Sequence, residues 1–145
     1  MIRFFLLTAL ALASCATTPV PTGDRIVSVS WRNQAPHSYS FVQTSFCESD
    51  DVLTLEELPG YTERAQFLNR PLIQPCKIRM VSVVGTRQLP AQTAWIPAPK
   101  SESGSQDYHL QIQVFPNSPP RIKLESVQSA HLRLKAAGQL PSETP

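Results

Sequence analysis

Between Arg25 and Glu125 the apolar residues fall largely at every second position, the spacing of strands with one face in a core. Val27, Val29 and Trp31 alternate with Ser28, Ser30 and Arg32. Asn33-Gln34-Ala35-Pro36-His37 then reads as a turn. A second strand is predicted over Ser38 to Cys47, with Ser40, Val42, Thr44 and Phe46 opposite Tyr39, Phe41 and Gln43. Aromatics on both of its faces suit a central or doubly covered strand. Cys76 to Thr86 is the clearest strand: Cys76, Ile78, Met80, Ser82 and Val84 alternate with Lys77, Arg79, Val81, Val83 and Gly85. Tyr108 to Phe115 turns Tyr108, Leu110, Ile112 and Val114 inward and His109, Gln111 and Gln113 outward; Arg121 to Glu125 adds Ile122 and Leu124 inward.

Other stretches are less regular. In Glu48 to Leu58, Ser49-Asp50-Asp51 fits the cap of a short helix with Val52, Leu55 and Leu58 on one face, while Val52-Leu53-Thr54-Leu55 also fits a strand. Its acidic residues, Glu48, Asp50, Asp51, Glu56 and Glu57, read as a solvated face before they read as a cation site. Pro59-Gly60 is a turn, and Tyr61 to Leu68 a further strand that Pro71 and Pro75 should end. Trp31 and Trp95 both sit in apolar stretches and are expected in the core. Lys100 to Asp107 should be an exposed loop, and Ser129 to Ala137 either a last strand or a short helix stopped by Gly138. About six to eight short strands without a long helix predict an all-β antiparallel sandwich, with α+β as second choice. Fourteen prolines in 145 residues agree, since proline opposes long helices.

The first residues set a different pattern. Arg3 precedes an apolar run from Phe4 to Ala13, too short for the ~20 residues that cross a bilayer. A basic start, a short apolar run and small residues at its end describe a secretory signal over 1–14. Leu12-Ala13-Ser14-Cys15 resembles a bacterial lipobox. The resemblance implies cleavage before Cys15, diacylation of its thiol and acylation of its amine, hence a membrane anchor through lipid. Ala16, in place of the Asp that commonly retains lipoproteins in the inner membrane, implies the outer membrane, with the chain facing the periplasm. Residues 15–23 would form an extended tether, 24–138 one β-rich domain and 139–145 a loose tail.

Export changes how the cysteines are read. Cys47 and Cys76 are the pair left after Cys15, and an oxidising compartment makes them a disulfide. Its loop of about 30 residues implies roughly 3–4 kcal/mol of stabilisation. Charge excludes little and suggests less. Arg3 leaves with the signal, so thirteen basic residues become twelve against eleven acidic ones, a balance that gives no reason to expect nucleic acid. His37, His109 and His131 lie far apart and lack metal or triad spacing; no phosphate loop or nucleophile elbow is present. No catalytic residue, metal or cofactor is predicted, and the chain is expected not to be an enzyme.

Residues 78–124 are similar to the second half of TssJ, the outer-membrane lipoprotein of the type VI secretion system. The resemblance lies in Ile78-Arg79-Met80-Val81-Ser82-Val83-Val84-Gly85-Thr86-Arg87, then Ala94-Trp95 opening a strand and two terminal strands, with Leu58-Pro59-Gly60 as the upstream turn. Thr86 replaces the family's usual aromatic and Ile96 its frequent Arg. The resemblance implies a transthyretin-like sandwich that anchors a periplasmic complex through a loop between early strands. Here that loop would hold Asn33, Gln34 and His37, with Glu48, Asp50 and Asp51 as a second contact. The expected function is docking of a periplasmic protein partner in an envelope or secretion complex; the alternative is a small-ligand-binding or carrier lipoprotein.

Overall fold

The computed structural model describes residues 23–99 and 106–139. Two sheets pack face to face. The first has the order β4-β1-β8-β9, from β4 (Glu63–Leu72), β1 (Arg25–Asn33), β8 (Asp107–Val114) and β9 (Arg121–Ser126). The second has the order β3-β2-β5-β6, from β3 (Val52–Leu55), β2 (Phe41–Phe46), β5 (Cys76–Val84) and β6 (Arg87–Gln88), with β7 (Gln92–Ile96) also paired to β5. All pairings are antiparallel except β1 with β8, which is parallel. The first sheet is therefore mixed, a departure from the purely antiparallel sandwich that the short turns predict. Helix α1 (Val127–Ala136) is the one helix among the described residues and packs on the outer face of the first sheet.

Alternation builds the interior as predicted for β5 and β8. Ile78 and Met80 face Leu110, Ile112 and Val114 within one continuous apolar cluster that also holds Val42, Phe46 and Trp31. Trp31 is fully buried, and its indole N–H donates to Thr44 Oγ1 at 2.9 Å. Burying the indole without that acceptor would leave a polar group unpaired. The Cys47–Cys76 disulfide ties the end of β2 to the start of β5.

The structure corrects five expectations. In β1 the pairing register shifts between Ile26 and Ser28, a bulge that adds one residue. Ile26, not Val27, therefore joins Val29 and Trp31 in the core. Residues 52–55 are a strand, not a helix: Val42 pairs with Leu55 and Ser45 with Val52, so the ladder on β2 decides between two locally possible forms. β4 runs through Pro71 to Leu72; it is an edge strand, where the missing N–H can face away from the ladder. Trp95 is 68% exposed, because β7 pairs Lys77 with Trp95 and sets both on the open outer face of the second sheet. Finally, His109 and Gln111 are buried although they point out of the sandwich, because α1 covers them.

Candidate functional site

Strand pairing lines up polar side chains across the outer face of the first sheet. Ser28 stands beside His109 and Phe67, His109 beside Glu125, Ser30 beside Gln111 and Ala65, and Arg32 beside Glu63. Helix α1 closes over this face with Ala130 and Leu134 inward. Ser126 caps it by accepting from the Ser129 N–H at 3.1 Å, and Gly138 leaves it at a φ of 67°.

Under the helix the polar groups form one chain. Ser30 Oγ donates to Glu63 Oε1 at 2.5 Å, so its single hydrogen is used. His109 Nε2, 2.7 Å from Ser30 Oγ, is therefore the ring's N–H donor. Nδ1 of the neutral ring is then the acceptor, and Ser28 Oγ at 2.8 Å donates to it. Gln111 Nε2 also donates to Glu63 Oε1, at 3.1 Å. Arg133 from α1 ion-pairs with Glu63 through one nitrogen and with Glu125 through another.

The electrostatics match this assignment. Burial pushes the His109 pKa down, and Arg133 adds to the effect against the opposing pull of Glu125 and Glu63. Burial opposes ionisation of Glu63, but hydrogen bonds from Arg133, Ser30 and Gln111 and the Arg133 charge outweigh it and hold its pKa below the usual range. Ser28 and His109 reach a pocket of about 60 Å³ lined also by Phe67 and His131. Such a volume suits one or two waters, whose share of liquid is about 30 Å³ each. It is too small for an acyl substrate. What the arrangement does chemically is fix α1 to the sheet.

The opposite case is found at the end of the sandwich where β1 finishes. Asn33 is fully buried. Its Nδ2 donates to the carbonyls of His37 (2.7 Å), Leu58 (3.2 Å) and Pro59 (3.1 Å), and its Oδ1 accepts from the Ala35 N–H at 2.9 Å. One side chain thus pins the β1–β2 loop to the Pro59-Gly60 turn. The two segments press so closely that a Cβ on Gly60 would meet the Pro36 carbonyl oxygen at 2.1 Å. Tyr61 follows at a φ of 55°, uncommon for a bulky residue, and its side chain is 69% exposed. Beside this knob, His37 Nε2 and the Tyr39 hydroxyl are buried without a hydrogen-bond partner. Burial raises the Tyr39 pKa to about 12.

The predicted contact residues separate. Asn33 is an internal pin and touches no partner; Gln34 and His37 are half-buried beside it. Glu48 and Asp50 are exposed and Asp51 half-buried, but they lie in the turn after β2, at its far end. The six residues of β2 put about 20 Å between the two groups. A single contact of ordinary loop size cannot be built from both. Cys15, the signal and the tether up to 22, and the tail from 140, lie outside the described residues. Sequence reasoning missed Tyr61, which it placed in a strand, and missed the network under α1. The only local trace of the latter is that Ser28/Ser30 and His109/Gln111 lack the Lys and Glu common on solvated strands.

No family model matches the chain, and no curated protein does. Among solved structures, an NMR structure of a protein from Eubacterium rectale is similar at 9% identity and a TM-score of 0.43, over 69% of this chain and 88% of that one. A likeness at that level informs neither fold nor function.

Proposed function

We propose that this chain is an outer-membrane-anchored lipoprotein, facing the periplasm, that docks a protein partner in an envelope or secretion complex. The lipobox at Leu12 to Cys15 supports the anchor, and the type VI secretion system is the complex that the resemblance around Gly85, Arg87 and Trp95 suggests. The observation that carries docking is Tyr61: a large amphipathic side chain held out on a knob that Asn33 makes rigid. Tyrosine is among the residues that most often dominate interfaces, and a rigid mount lowers the ordering cost of binding. The knob lies at the far end of β1 from the tether, where a lipid-anchored chain presents itself to the periplasm. The reading assigns no catalytic step.

A photo-cross-linking residue at Tyr61 should give one discrete adduct in intact cells, and the same residue at Arg79, on the open face of the second sheet, should give none. Equal adducts at both positions, or none at either, count against the reading. Cys15→Ser should release the chain from the membrane fraction; retention through a salt wash would remove the anchor.

A further inference from the structure

A cleft next to the knob has a chemistry of its own. It lies between the β1–β2 loop, the β5–β6 hairpin and the β8–β9 turn, with a volume of about 350 Å³. That is within the range of small-ligand sites. Its lining divides in two: Val84, Leu89 and Pro116 are apolar, and His37, Arg87 and Asn117 are polar. No carboxylate lines it. Gly85, at a φ of 62°, makes the tight hairpin that brings Arg87 back beside Val84.

Two observations point to a ligand. Arg87 is exposed and has no acidic partner among the described residues, although the sequence places acidic groups close by at Glu56 and Glu57 on the other flank of the loop. The His37 ring lines the cleft, yet its Nε2 has no hydrogen-bond partner. Elsewhere this molecule pairs its buried polar groups completely, as under α1. An unmet imidazole nitrogen and a free guanidinium on one apolar-floored cleft describe a site awaiting an acceptor. The guanidinium fork fits a carboxylate in two parallel hydrogen bonds.

We propose that this cleft binds a carboxylate carried on a short apolar stem. Arg87 takes the carboxylate, the Asn117 amide and a turned His37 ring complete its hydrogen bonds, and Val84, Leu89 and Pro116 cover the stem. The carboxylate has two sources: an Asp, Glu or chain terminus of the docked partner, which rests on the docking reading, or a free organic acid, which does not.

The test uses the exported chain without its lipid and three probes: hexanoate, hexanamide, and a blocked peptide with one Glu among small residues. Chemical shifts of the Asn117 amide and the His37 ring are followed by NMR titration. Hexanoate or the peptide should shift both signals and hexanamide should not. Arg87→Gln should weaken binding about tenfold or more, the loss of one charge-assisted pair. Tighter binding of the peptide identifies the partner as the source, and tighter binding of hexanoate a free acid. Equal binding of acid and amide, an unchanged Arg87→Gln affinity, or no shift up to about 10 mM overturns the proposal. The docking reading stands or falls separately, on the Tyr61 adduct.

Discussion

The molecule carries polar side chains in two places where a sandwich would ordinarily be apolar or solvated, and it treats them in opposite ways. Under α1, Ser28, Ser30, His109, Gln111 and Glu63 are buried and each hydrogen-bonded to another. At the Tyr61 end, His37 Nε2 and the Tyr39 hydroxyl are buried with no partner, and Arg87 stands without a counter-charge among the described residues. A satisfied network stabilises one conformation and leaves nothing to offer a ligand. Unmet groups weaken the free molecule slightly and gain on binding. The first region is therefore structure and the second is where recognition belongs.

Breaking the first region should have the largest effect. Glu63 is 4% exposed and accepts from Ser30, Gln111 and Arg133. Glu63→Ala removes all three acceptors at once and leaves a half-buried guanidinium with only Glu125. About 3 kcal/mol of stability should go, as when one partner of a buried pair is removed. Urea unfolding with an unchanged slope would measure it. A loss under 1 kcal/mol would mean that the network contributes little and α1 is held by Ala130 and Leu134 alone.

Tyr61→Ala tests the second region, and its effect should appear in binding instead of folding. Its side chain is mostly solvated, so stability should change by less than about 0.5 kcal/mol. Partner affinity should fall by about 2 kcal/mol, roughly thirtyfold, as for an anchor residue. Wild-type capture by the variant would move the contact off the knob.

Acid should act on the first region and spare the second. The folded His109 pKa lies below its ordinary value of 6.5, so the unfolded chain binds a proton that the folded chain refuses. The stability this neutral ring contributes is present above pH 6.5 and is lost as pH falls below it, by at most about 1.4 kcal/mol per pH unit. Glu63, held below its ordinary 4.5, adds a loss of the same sign below that pH. Stability measured from pH 7 to 5 should slope down with acid, and His109→Gln should flatten the slope over that interval.

How much of this was readable in the chain depends on the range of the interactions. Period-two alternation placed β5 and β8 and their inward residues, because each residue's face follows from its own strand. The disulfide followed from an even pair in an exported chain, and Pro59-Gly60 marked the turn. The network could not be read, since Ser28 and His109 meet only through the parallel pairing of β1 with β8, 81 positions apart, and are covered by a helix that comes later still. The same limit explains Trp95: its apolar neighbours Ala94 and Ile96 suggest a core, but a short strand at the open edge of β5 has one face with nothing above it. The Ile26 bulge and the reach of β4 through Pro71 are likewise decided by partner strands and not by local pattern.

The smallest effect gives the most direct test of the contrast, because it compares two hydroxyls. Ser30 Oγ accepts from His109 and donates to Glu63, so Ser30→Ala leaves both partners short of a bond and should destabilise by about 1–2 kcal/mol. The Tyr39 hydroxyl is equally buried but bonded to nothing. Tyr39→Phe removes a desolvated oxygen and breaks no hydrogen bond, while the ring keeps its place beside His37 at 5.6 Å between centroids. Stability should be unchanged or rise by up to about 1 kcal/mol, the relief of an unpaired polar group less the small void left behind. Thermal unfolding of the two variants in parallel separates them by sign. Equal losses would mean that Tyr39 has found a partner, such as an ordered water, and that the two polar regions do not differ in kind.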